Sequence, residues 1–589
     1  MATPKLFAGD CETDPFFSGR VPRPFIWGLY NGKNYWTFRD TSDFVAFISN
    51  IECIVYAHNG GKFDWIYLLP FVKSTKAQVI NGRIVAMKIG KAELRDSFSI
   101  IPEALKKFGD KLEIEYWKLE KSVRDKYMPE IEEYLYRDCK VLFDAVKQYR
   151  DIAGKHKTIA SNALTFCKKL GIDPGKTNHR FDRKFRRFYY GGRCECFQPG
   201  THHDIYMLDI HSAYPFAMIH DHATGSNFVM QDDFEDMTTE EIQRSFIVIE
   251  CTSRGAFPLR TKTGLIFPHE YNRFSITGWE YIVAKEFGLI SDEKIITVFA
   301  TDETITFKPY INHWFQFKAD HSAKDEKGNR IDPVNYTIGK IMQNSLYGKL
   351  AQDIEHYFDY RFEEAGTAIC HEKSFNKNDW CERCNQPGKD HGWELYTEFE
   401  DHEIHRRESL WKYKHELGDE WEGKGLYNNV ATGASINGFT RAHLLRAIHT
   451  IGIEHVIYCD TDSIYCSAKA DISAIPQTDA LGDWELEDRA PIGHFAGKKL
   501  YGVKTSKGTP KIAAKGSRLS SKLITKIIDG EEIQYIEDDQ NLAFERIKRI
   551  AAGETIQWIN HAPTFSIDGS AKFVHRNIRA TARTTTSSD

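Results

Sequence analysis

The chain has 589 residues, with 41% hydrophobic and 27% charged residues and a net charge of −5. These values are typical of a globular protein with several domains, and they exclude a disordered or fibrous chain. A charge of −5 does not exclude nucleic acid, because a local basic groove can coexist with acidic sites.

No apolar run reaches the roughly 18 residues of a membrane span, and the chain starts without the apolar core of a signal peptide. We therefore expect no membrane insertion and no targeting signal. The twelve cysteines lie mostly in apolar runs, which suits reduced thiols in a cytoplasm-like compartment.

The first 140 or so residues alternate strand-like and helical runs, which predicts an α/β domain. The strand-like runs are 24–30, 53–56 and 78–89, and the helical run is 128–149.

Four carboxylates in this part of the chain come from three separate segments. Asp10 and Glu12 share one face of a predicted strand, because strand side chains repeat every two residues. Asp64 opens a predicted helix, and Asp138 lies one helical turn after Tyr134. Together the four acids could bind two metal ions, with Tyr134 orienting an attacking water. Taken singly, each acid is equally compatible with an ordinary strand, capping or solvated position.

A basic, aromatic stretch runs from His179 to Arg193 and includes Arg186 and Arg187. It is a candidate surface for a nucleic-acid backbone, and the alternative is a solvated helix face. If it binds DNA, removal of charge at Arg186 or Arg187 should weaken binding more at low salt than at high salt.

The strand predicted at 205–210 carries Asp209 near its end. Pro215 should break this strand and favour an extended Tyr214, whose ring could exclude the 2′-hydroxyl of an incoming sugar. The alternative is a strand-edge acid beside a core tyrosine.

The stretch 340–350 predicts a helix with Lys340, Asn344 and Tyr347 on one stripe. Such a stripe offers a cation for a triphosphate, an amide and an aromatic platform, and Gly348 would allow a base pair to approach the backbone. A merely solvated polar stripe is the alternative.

The region from 361 to about 424 differs in composition from both flanks and is predicted to be an insertion. It contains one Cys-x-x-Cys pair with further cysteine and histidine nearby, which is compatible either with structural zinc or with a metal-free loop. The candidate zinc ligands are Cys370, Cys381, Cys384 and His391.

Apolar residues precede and follow the run Asp460, Thr461 and Asp462, and this pattern predicts a β-hairpin that turns at these residues. Acids held this close repel each other unless a cation lies between them, and Asp209 could share that cation. A surface hairpin with solvated aspartates is the alternative. Farther on, Lys499 and Tyr501 are predicted on one face of a strand, where they would suit a primer phosphate and sugar.

From Asp10 to about Arg579 these motifs, in this order, resemble the protein-primed family B DNA polymerases of bacteriophages, and most closely those of tectivirus-like phages. The residues that match the exonuclease motifs are Asp10, Glu12, Asn59, Phe63, Asp64, Tyr134 and Asp138. The residues that match the linker and polymerase motifs are Tyr189, Gly191, Gly192, Asp209, Ser212, Tyr214, Pro215, Lys340, Asn344, Ser345, Tyr347, Gly348, Asp460, Thr461, Asp462, Lys499 and Tyr501. The exonuclease lysine of the family is not placed, since Lys106, Lys107 and Lys111 are all candidates.

The resemblance implies a mixed α/β and α+β multidomain protein, with a ribonuclease-H-like 3′–5′ exonuclease domain before a right-hand polymerase domain. The implied boundaries are 1–165 for the exonuclease and 166–589 for the polymerase. Within the polymerase we expect a palm with a first insertion at about 225–320, fingers at 325–352, a second insertion at 353–425, more palm at 426–512, a thumb at 513–580 and a tail at 581–589.

The resemblance also implies two Mg²⁺ (or Mn²⁺) ions per active site. One pair would be held by Asp209, Asp460 and Asp462, and the other by Asp10, Glu12, Asp64 and Asp138. Lys340, Asn344, Tyr347, Gly348 and Tyr214 would contact the nucleotide. The implied DNA contacts are Asn59, Phe63, Tyr189, Gly191, Gly192, Ser212, Thr461, Lys499 and Tyr501.

The expected partners are template–primer DNA, deoxynucleoside triphosphates and a terminal protein, with the chain acting as a monomer in the cytoplasm of a host cell. Three alternatives remain from the sequence: a family B polymerase that uses an ordinary primer, a nuclease with an inert polymerase half, and a non-catalytic replication scaffold.

Overall fold

The computed structural model describes most of the chain up to residue 514 and four short strand segments beyond it. The described residues are 4–15, 22–80, 82–109, 113–262, 264–353, 358–367, 380–381, 386–387, 392–399, 402–408, 428–514, 533–534, 537–538, 560–561 and 564–565. Most of the predicted thumb, the predicted tail, Lys111 and the zinc candidates Cys370, Cys384 and His391 lie outside the described residues, as does the side chain of Cys381.

The amino-terminal region is built on a twisted sheet with helices on both faces. Its strands are β1 (Lys5–Thr13), β2 (Pro24–Tyr30), β3 (Tyr35–Phe38), β4 (Cys53–Ala57), β5 (Ser74–Ile80), β6 (Arg83–Ile89) and β7 (Ala92–Asp96). Its helices are α1 (Thr41–Ser49), α2 (Met128–Ile152) and a 3₁₀ helix at Asp64–Phe71. The strand-like run 78–89 is a hairpin rather than one strand, because the chain turns through Gly82 at φ 68°.

The middle of the chain contributes further strands and helices. Its strands are β8 (Cys194–Cys196), β9 (Gly200–Ile210), β10 (His222–Ala223), β11 (Val229–Gln231), β12 (Phe246–Ser253), β13 (Leu259–Thr261), β14 (Gly264–Ile266), β15 (Tyr271–Thr277), β16 (Ile290–Ala300) and β17 (Thr304–Ile305). Its helices are α3 (Ile159–Lys169), α4 (His179–Phe185), α5 (Ala213–Met218), α6 (Thr239–Arg244), α7 (Gly278–Glu286), α8 (Lys308–Asp320), α9 (Pro333–Asn344) and α10 (Leu346–Leu350).

The last region completes both large sheets. Its strands are β18 (Phe358–Glu364), β19 (Trp380–Cys381), β20 (Gln386–Pro387), β21 (Glu394–Phe399), β22 (His402–Glu408), β23 (Val456–Asp460), β24 (Ser463–Ser467), β25 (Trp484–Gly497), β26 (Leu500–Lys504) and β27 (Pro510–Ala514), with one long helix, α11 (Val430–Thr450).

Two sheets organise the molecule. The first has ten strands in the order β21-β22-β18-β5-β6-β7-β4-β1-β2-β3, so strands from the predicted second insertion extend the amino-terminal sheet. The second has seven strands in the order β27-β26-β25-β9-β24-β23-β8. A smaller four-stranded sheet, β11-β16-β12-β15, lies within the predicted first insertion.

Apolar cores lie on both faces of the first sheet and behind the second. Helix α1 packs on one face of the first sheet, and α2 packs on the other, where Leu135 and Leu142 are buried. The α2 core continues into α9 through Met342, so the amino-terminal region and the predicted fingers share packing. None of the helices within the described ranges is long and apolar enough to cross a bilayer.

Candidate active sites

The amino-terminal acid site, defined as Asp10, Glu12, Asp64 and Asp138, is gathered by three elements. Strand β1 carries Asp10 and Glu12, the 3₁₀ helix begins at Asp64, and α2 carries Asp138 against β1. The Cys11 N–H donates to Asp64 Oδ1 at 3.2 Å, which ties the 3₁₀ helix to the strand. The structure thus brings together the four acids that the sequence singled out.

Burial and mutual repulsion dominate the electrostatics of this site. Burial, followed by the charges of Asp64 and Glu12, raises the pKa of Asp10 well above the usual carboxyl range. Burial and the charges of Asp138 and Asp64 raise the pKa of Glu12 to about 8. Burial also raises the pKa of Asp64 and of Asp138 to about 6.

These residues fit a divalent cation by charge, burial and donor type. Among the residues that the structure describes, no lysine or arginine pairs with any of the four acids, so their repulsion is uncompensated within the chain. Carboxylate oxygens are the ligands that Mg²⁺ prefers. In the same described part of the chain, no three such side chains already stand close enough to form a preformed cage. The four acids therefore supply suitable donors for a divalent cation.

The sequence also predicts roles beside these acids for Tyr134, Asn59 and Phe63. Tyr134 shares a hydrogen bond with Asp138 across one turn of α2. Asn59 has a left-handed backbone, with φ 64°, and its Oδ1 accepts from Arg83 Nη1 at 2.8 Å. Phe63 contacts Tyr67 edge-on, with the ring centroids 5.3 Å apart.

Sequence reasoning missed one buried ion pair beside this site. Arg83 Nη1 lies 2.5 Å from Asp96 Oδ2, and the Gly61 N–H also donates to that oxygen. The pair therefore holds the turn that leads to Asp64. Asp96 ends β7 with a side chain that is 0% exposed, but an acid at a strand end gives no specific signal in the sequence.

The second acid cluster, called here the central acid site (Asp209, Asp460 and Asp462), is formed by β9 and the β23–β24 hairpin. Asp209 pairs in register with Ser463 on β24, and the Ile210 N–H donates to the Asp462 carbonyl at 2.8 Å. The hairpin turns at Thr461-Asp462, with Thr461 at φ 60°. The predicted hairpin is present, and Asp209 lies next to it.

Repulsion within the central acid site is partly offset by lysine. Burial, followed by the charges of Asp462 and Glu487, raises the pKa of Asp209 to about 7. Burial and the charge of Asp460 also raise the pKa of Asp462. Lys499 Nζ lies 2.5 Å from Asp460 Oδ2 and compensates that carboxylate. A cavity of about 400 Å³ opens here, lined by Asp209, Asp460, Thr461, Asp462, Ser463, Tyr465, Lys499, Tyr501 and Lys511. Its carboxylate oxygens are donors that suit a divalent cation, although Lys499 already compensates Asp460.

Lys499 reaches this cavity from a turn, so its predicted place on a strand is wrong. It lies between β25 and β26 with φ 57°, in a left-handed conformation that reverses the chain. Tyr501 does lie on β26, and its hydroxyl is 3.0 Å from the Tyr465 hydroxyl.

Tyr214 is helical, and the extended conformation predicted for it is wrong. Ser212, at φ 58°, turns the chain out of β9, and α5 begins at Ala213. Pro215 falls in the first turn of α5, where a missing N–H costs no helical hydrogen bond. The Tyr214 ring stacks on Tyr347, with centroids 3.8 Å apart and planes 4° from parallel.

The helix predicted at 340–350 is two helices, α9 and α10, which meet at Ser345. The Ser345 hydroxyl donates to the Ile341 carbonyl at 2.5 Å and so competes with the helical pattern. Lys340 and Asn344 are exposed on α9, and Tyr347 belongs to α10. A Cβ built on Gly348 would meet nothing within 4 Å, so the structure shows open space beside its backbone.

The segment Tyr189 to Gly192 lies directly against the central hairpin. A Cβ on Gly192 would come within 2.5 Å of Thr461 Oγ1, and the Thr461 N–H donates to the Arg193 carbonyl at 2.6 Å. The Gly191 carbonyl accepts from Arg441 Nη1 at 3.1 Å. Burial, followed by the neighbouring Tyr189 phenol, raises the pKa of Tyr347. The segment therefore touches the hairpin and approaches the stacked tyrosines.

Only part of the basic stretch is exposed, because some of its arginines are held in ion pairs. Arg186 is paired with Asp182 at 2.6 Å, and Arg193 is buried and paired with Glu195 at 2.7 Å. Arg187 lies over the Phe188 and Phe299 rings, at 4.9 and 5.4 Å. The stretch thus includes structural ion pairs that its composition did not indicate. Of the lysine candidates, Lys107 pairs with Glu103 at 2.5 Å.

Comparisons with known proteins agree with this architecture. A family described as DNA polymerase type B, organellar and viral, matches residues 111–387. The chain is 33% identical to the DNA-directed DNA polymerase of Enterobacteria phage PRD1, over 98% of both chains. This chain belongs to the type B DNA polymerases of bacteriophages. The family resemblance noted from the sequence is thereby confirmed, and the protein is a DNA-directed DNA polymerase.

Solved structures support the fold of the polymerase. Phi29 DNA polymerase, complexed with primer–template DNA and incoming nucleotide, matches with a TM-score of 0.67 and 16% identity, covering 92% of this chain and 97% of that one. The predicted exonuclease-plus-right-hand fold is confirmed by this likeness. A more distant relative is a probable DNA polymerase of Agaricus bitorquis, 24% identical over 51% of this chain and 46% of its own length.

Proposed function

We propose that this polymerase starts DNA synthesis on a hydroxyl of a terminal protein, extends it with strand displacement, and proofreads with a 3′–5′ exonuclease. It would replicate a linear viral or mobile-element genome, as a monomer in the cytoplasm of the host cell. The observation that carries the polymerase part is the register of β9 against β24, which places Asp209 beside Asp462. The predicted domain boundaries, with the exonuclease at 1–165, belong to the same proposal.

At the central acid site, Asp209 and Asp462 would be the main ligands of two Mg²⁺ (or Mn²⁺) ions, with Asp460 nearby. When bound at either acid site, such ions make the attacking hydroxyl or water more acidic and stabilise charge on the leaving oxygen. Lys340 would neutralise the triphosphate, while Asn344 and Tyr347 test the shape of the new base pair. Tyr214 would lie under the sugar and exclude a 2′-hydroxyl.

On the primer side of this site, lysine and hydroxyl side chains of the protein would contact the DNA. Lys499 Nζ pairs with Asp460 Oδ2, and it would turn to a primer phosphate when the carboxylate is neutralised. Tyr501 would contact the primer sugar. Ser212, Thr461 and Gly348 would approach the DNA backbone or the new base pair closely.

At the amino-terminal acid site, Asp10, Glu12, Asp64 and Asp138 would hold the metal ions for hydrolysis. Tyr134, hydrogen-bonded to Asp138, would orient the attacking water. Asn59 and Phe63 would hold the frayed strand, with stacking on Phe63 contributing roughly 1–3 kcal/mol. Tyr189, Gly191 and Gly192 would guide the primer between the two sites, which is supported by the close approach of Gly192 to Thr461 of the hairpin.

Structural zinc in the second insertion stays a proposal on composition alone, because the side chains concerned lie outside the described residues.

Protein priming is tested by incubating the polymerase with a candidate terminal protein, one labelled deoxynucleoside triphosphate and Mg²⁺. We expect a covalent protein–nucleotide adduct that resists denaturation and is absent with Asp460→Ala combined with Asp462→Ala. An enzyme that extends an ordinary primer efficiently but never labels the co-encoded protein would instead support the alternative of a family B polymerase without protein priming.

A further inference from the structure

Lys511 is a charged residue of the central cavity that no sequence motif singled out. It lies on β27, where it pairs with Val503 of β26, and its side chain crosses toward the carboxylates. Its Nζ is 2.8 Å from Glu487 Oε2. Both side chains are less than half exposed, at 43% and 40%.

A β-bulge in β25 directs the Glu487 side chain toward Lys511. On β25, Leu486 pairs with Leu208 and Asp488 pairs with Met207, so Glu487 is the extra residue of a bulge opposite β9. A bulge re-aims a side chain relative to the regular alternation of a strand. The preceding acid, Glu485, pairs in register with Asp209 itself.

Lys511 therefore compensates one of several acids that surround Asp209. Lys511 lines the same cavity as Asp209 and pairs with Glu487, and Glu485 lies in register with Asp209 on the neighbouring strand. Burial by itself would lower the pKa of Lys511, but the hydrogen bond and charge of Glu487 raise it, so the amine is a full cation. The cavity lining also includes Lys499, which is paired with Asp460.

We propose that Lys511 is a positioning residue of the polymerase site, which holds Glu487 and sets the local charge that both the metal ions and the anionic DNA encounter. This inference rests on the proposed two-metal role of the central acid site. Without Lys511, Glu487 would add an uncompensated negative charge next to Asp209. Metal ions would then bind more tightly, whereas primer–template would bind more weakly, because the two ligands have opposite charge.

The experiment compares the wild type with Lys511→Met, Lys511→Arg, Glu487→Gln and the double variant Lys511→Met/Glu487→Gln. Lys504→Met is the matched control, since Lys504 is exposed on the neighbouring strand β26 and does not line the cavity. Primer–template affinity is measured by fluorescence anisotropy in EDTA, and the half-saturating Mg²⁺ concentration is measured for single-nucleotide extension.

We expect Lys511→Met to weaken DNA binding and to lower the half-saturating Mg²⁺ concentration, each by about threefold to tenfold. Lys511→Arg should retain wild-type values, and Glu487→Gln in the Lys511→Met background should restore both. Lys504→Met should leave the Mg²⁺ requirement unchanged.

A Lys511→Met variant that matches Lys504→Met in both measurements would overturn the inference, and so would a failure of Glu487→Gln to reverse its effects. If Lys511→Met does not fold, Lys511→Arg and the double variant still test the inference, because both keep the net charge of the Lys511–Glu487 pair at its wild-type value. Failure of the proposed function would give a different result, because the wild type itself would then show no Mg²⁺-dependent extension.

Discussion

At the scale of single residues, the two tyrosines that we propose contact the nucleotide show what the sequence could and could not indicate. The sequence motifs predict a nucleotide contact for both Tyr214 and Tyr347, and in the structure their rings stack with centroids 3.8 Å apart. Periodicity could not predict this contact, because it depends on a left-handed Ser212 and a helix break at Ser345.

Tyr214→Val tests the sugar-excluding role of this ring. The smaller side chain should admit a 2′-hydroxyl, so discrimination against ribonucleotides should fall by about tenfold or more, while extension with deoxynucleotides continues. Single-nucleotide incorporation with matched ribo- and deoxyribonucleoside triphosphates measures the ratio. Tyr214→Phe, which keeps the ring, is the control; unchanged discrimination in Tyr214→Val would exclude this role.

At the scale of elements, acids that are distant in the sequence meet because strands bring them together. Local sequence pattern correctly predicted the strands that carry Asp10 and Asp209, and the helix that carries Asp138. It could not predict that β18 would pair with β5 and extend the first sheet, since strand partners depend on tertiary packing rather than local pattern. Nor could it separate structural from exposed arginines in the basic stretch, because composition does not reveal ion-pair partners.

The two neighbouring arginines of that stretch should behave differently. Arg186→Ala removes the guanidinium that donates to both oxygens of the buried Asp182 carboxylate, so the free energy of unfolding should fall by about 2–4 kcal/mol. Arg187→Ala should instead weaken DNA binding and reduce the salt dependence of log K by about one unit.

Denaturant unfolding and DNA titrations at several salt concentrations separate the two effects. Arg183→Ala, on the exposed side of α4, is the control for loss of one charge. The assignment fails if Arg186→Ala is as stable as Arg183→Ala, or if Arg187→Ala keeps the salt slope of the wild type.

At the scale of the whole molecule, we expect the two acid sites to make stability depend on pH and on metal. Burial raises the pKa of Glu12 to about 8, of Asp64 and Asp138 to about 6, and of Asp209 to about 7. These groups release their protons near pH 4 in the unfolded chain, at about their ordinary pKa. Their contribution to stability is therefore complete below about pH 4 and is lost as the pH rises through about 6 to 8.

In EDTA, the free energy of unfolding should fall between pH 5.5 and pH 8.5 by on the order of 2 kcal/mol or more. Mg²⁺ should restore more stability at pH 8.5 than at pH 5.5, because it binds the ionised carboxylates. Urea unfolding at both pH values measures this. The combined variant Glu12→Gln/Asp64→Asn should show a smaller fall, and an equal fall in that variant would show that other groups cause it.

The central claim is that the chain uses two separate carboxylate sites, one to build DNA and one to remove nucleotides. The most direct measurement follows a labelled primer–template with Mg²⁺, with and without deoxynucleoside triphosphates, for the wild type, Asp462→Asn and Asp64→Asn. We predict that Asp462→Asn only shortens the primer and that Asp64→Asn only lengthens it. If Asp462→Asn extends the primer like the wild type, or if Asp64→Asn still trims it at the wild-type rate, the assignment of the two sites is wrong.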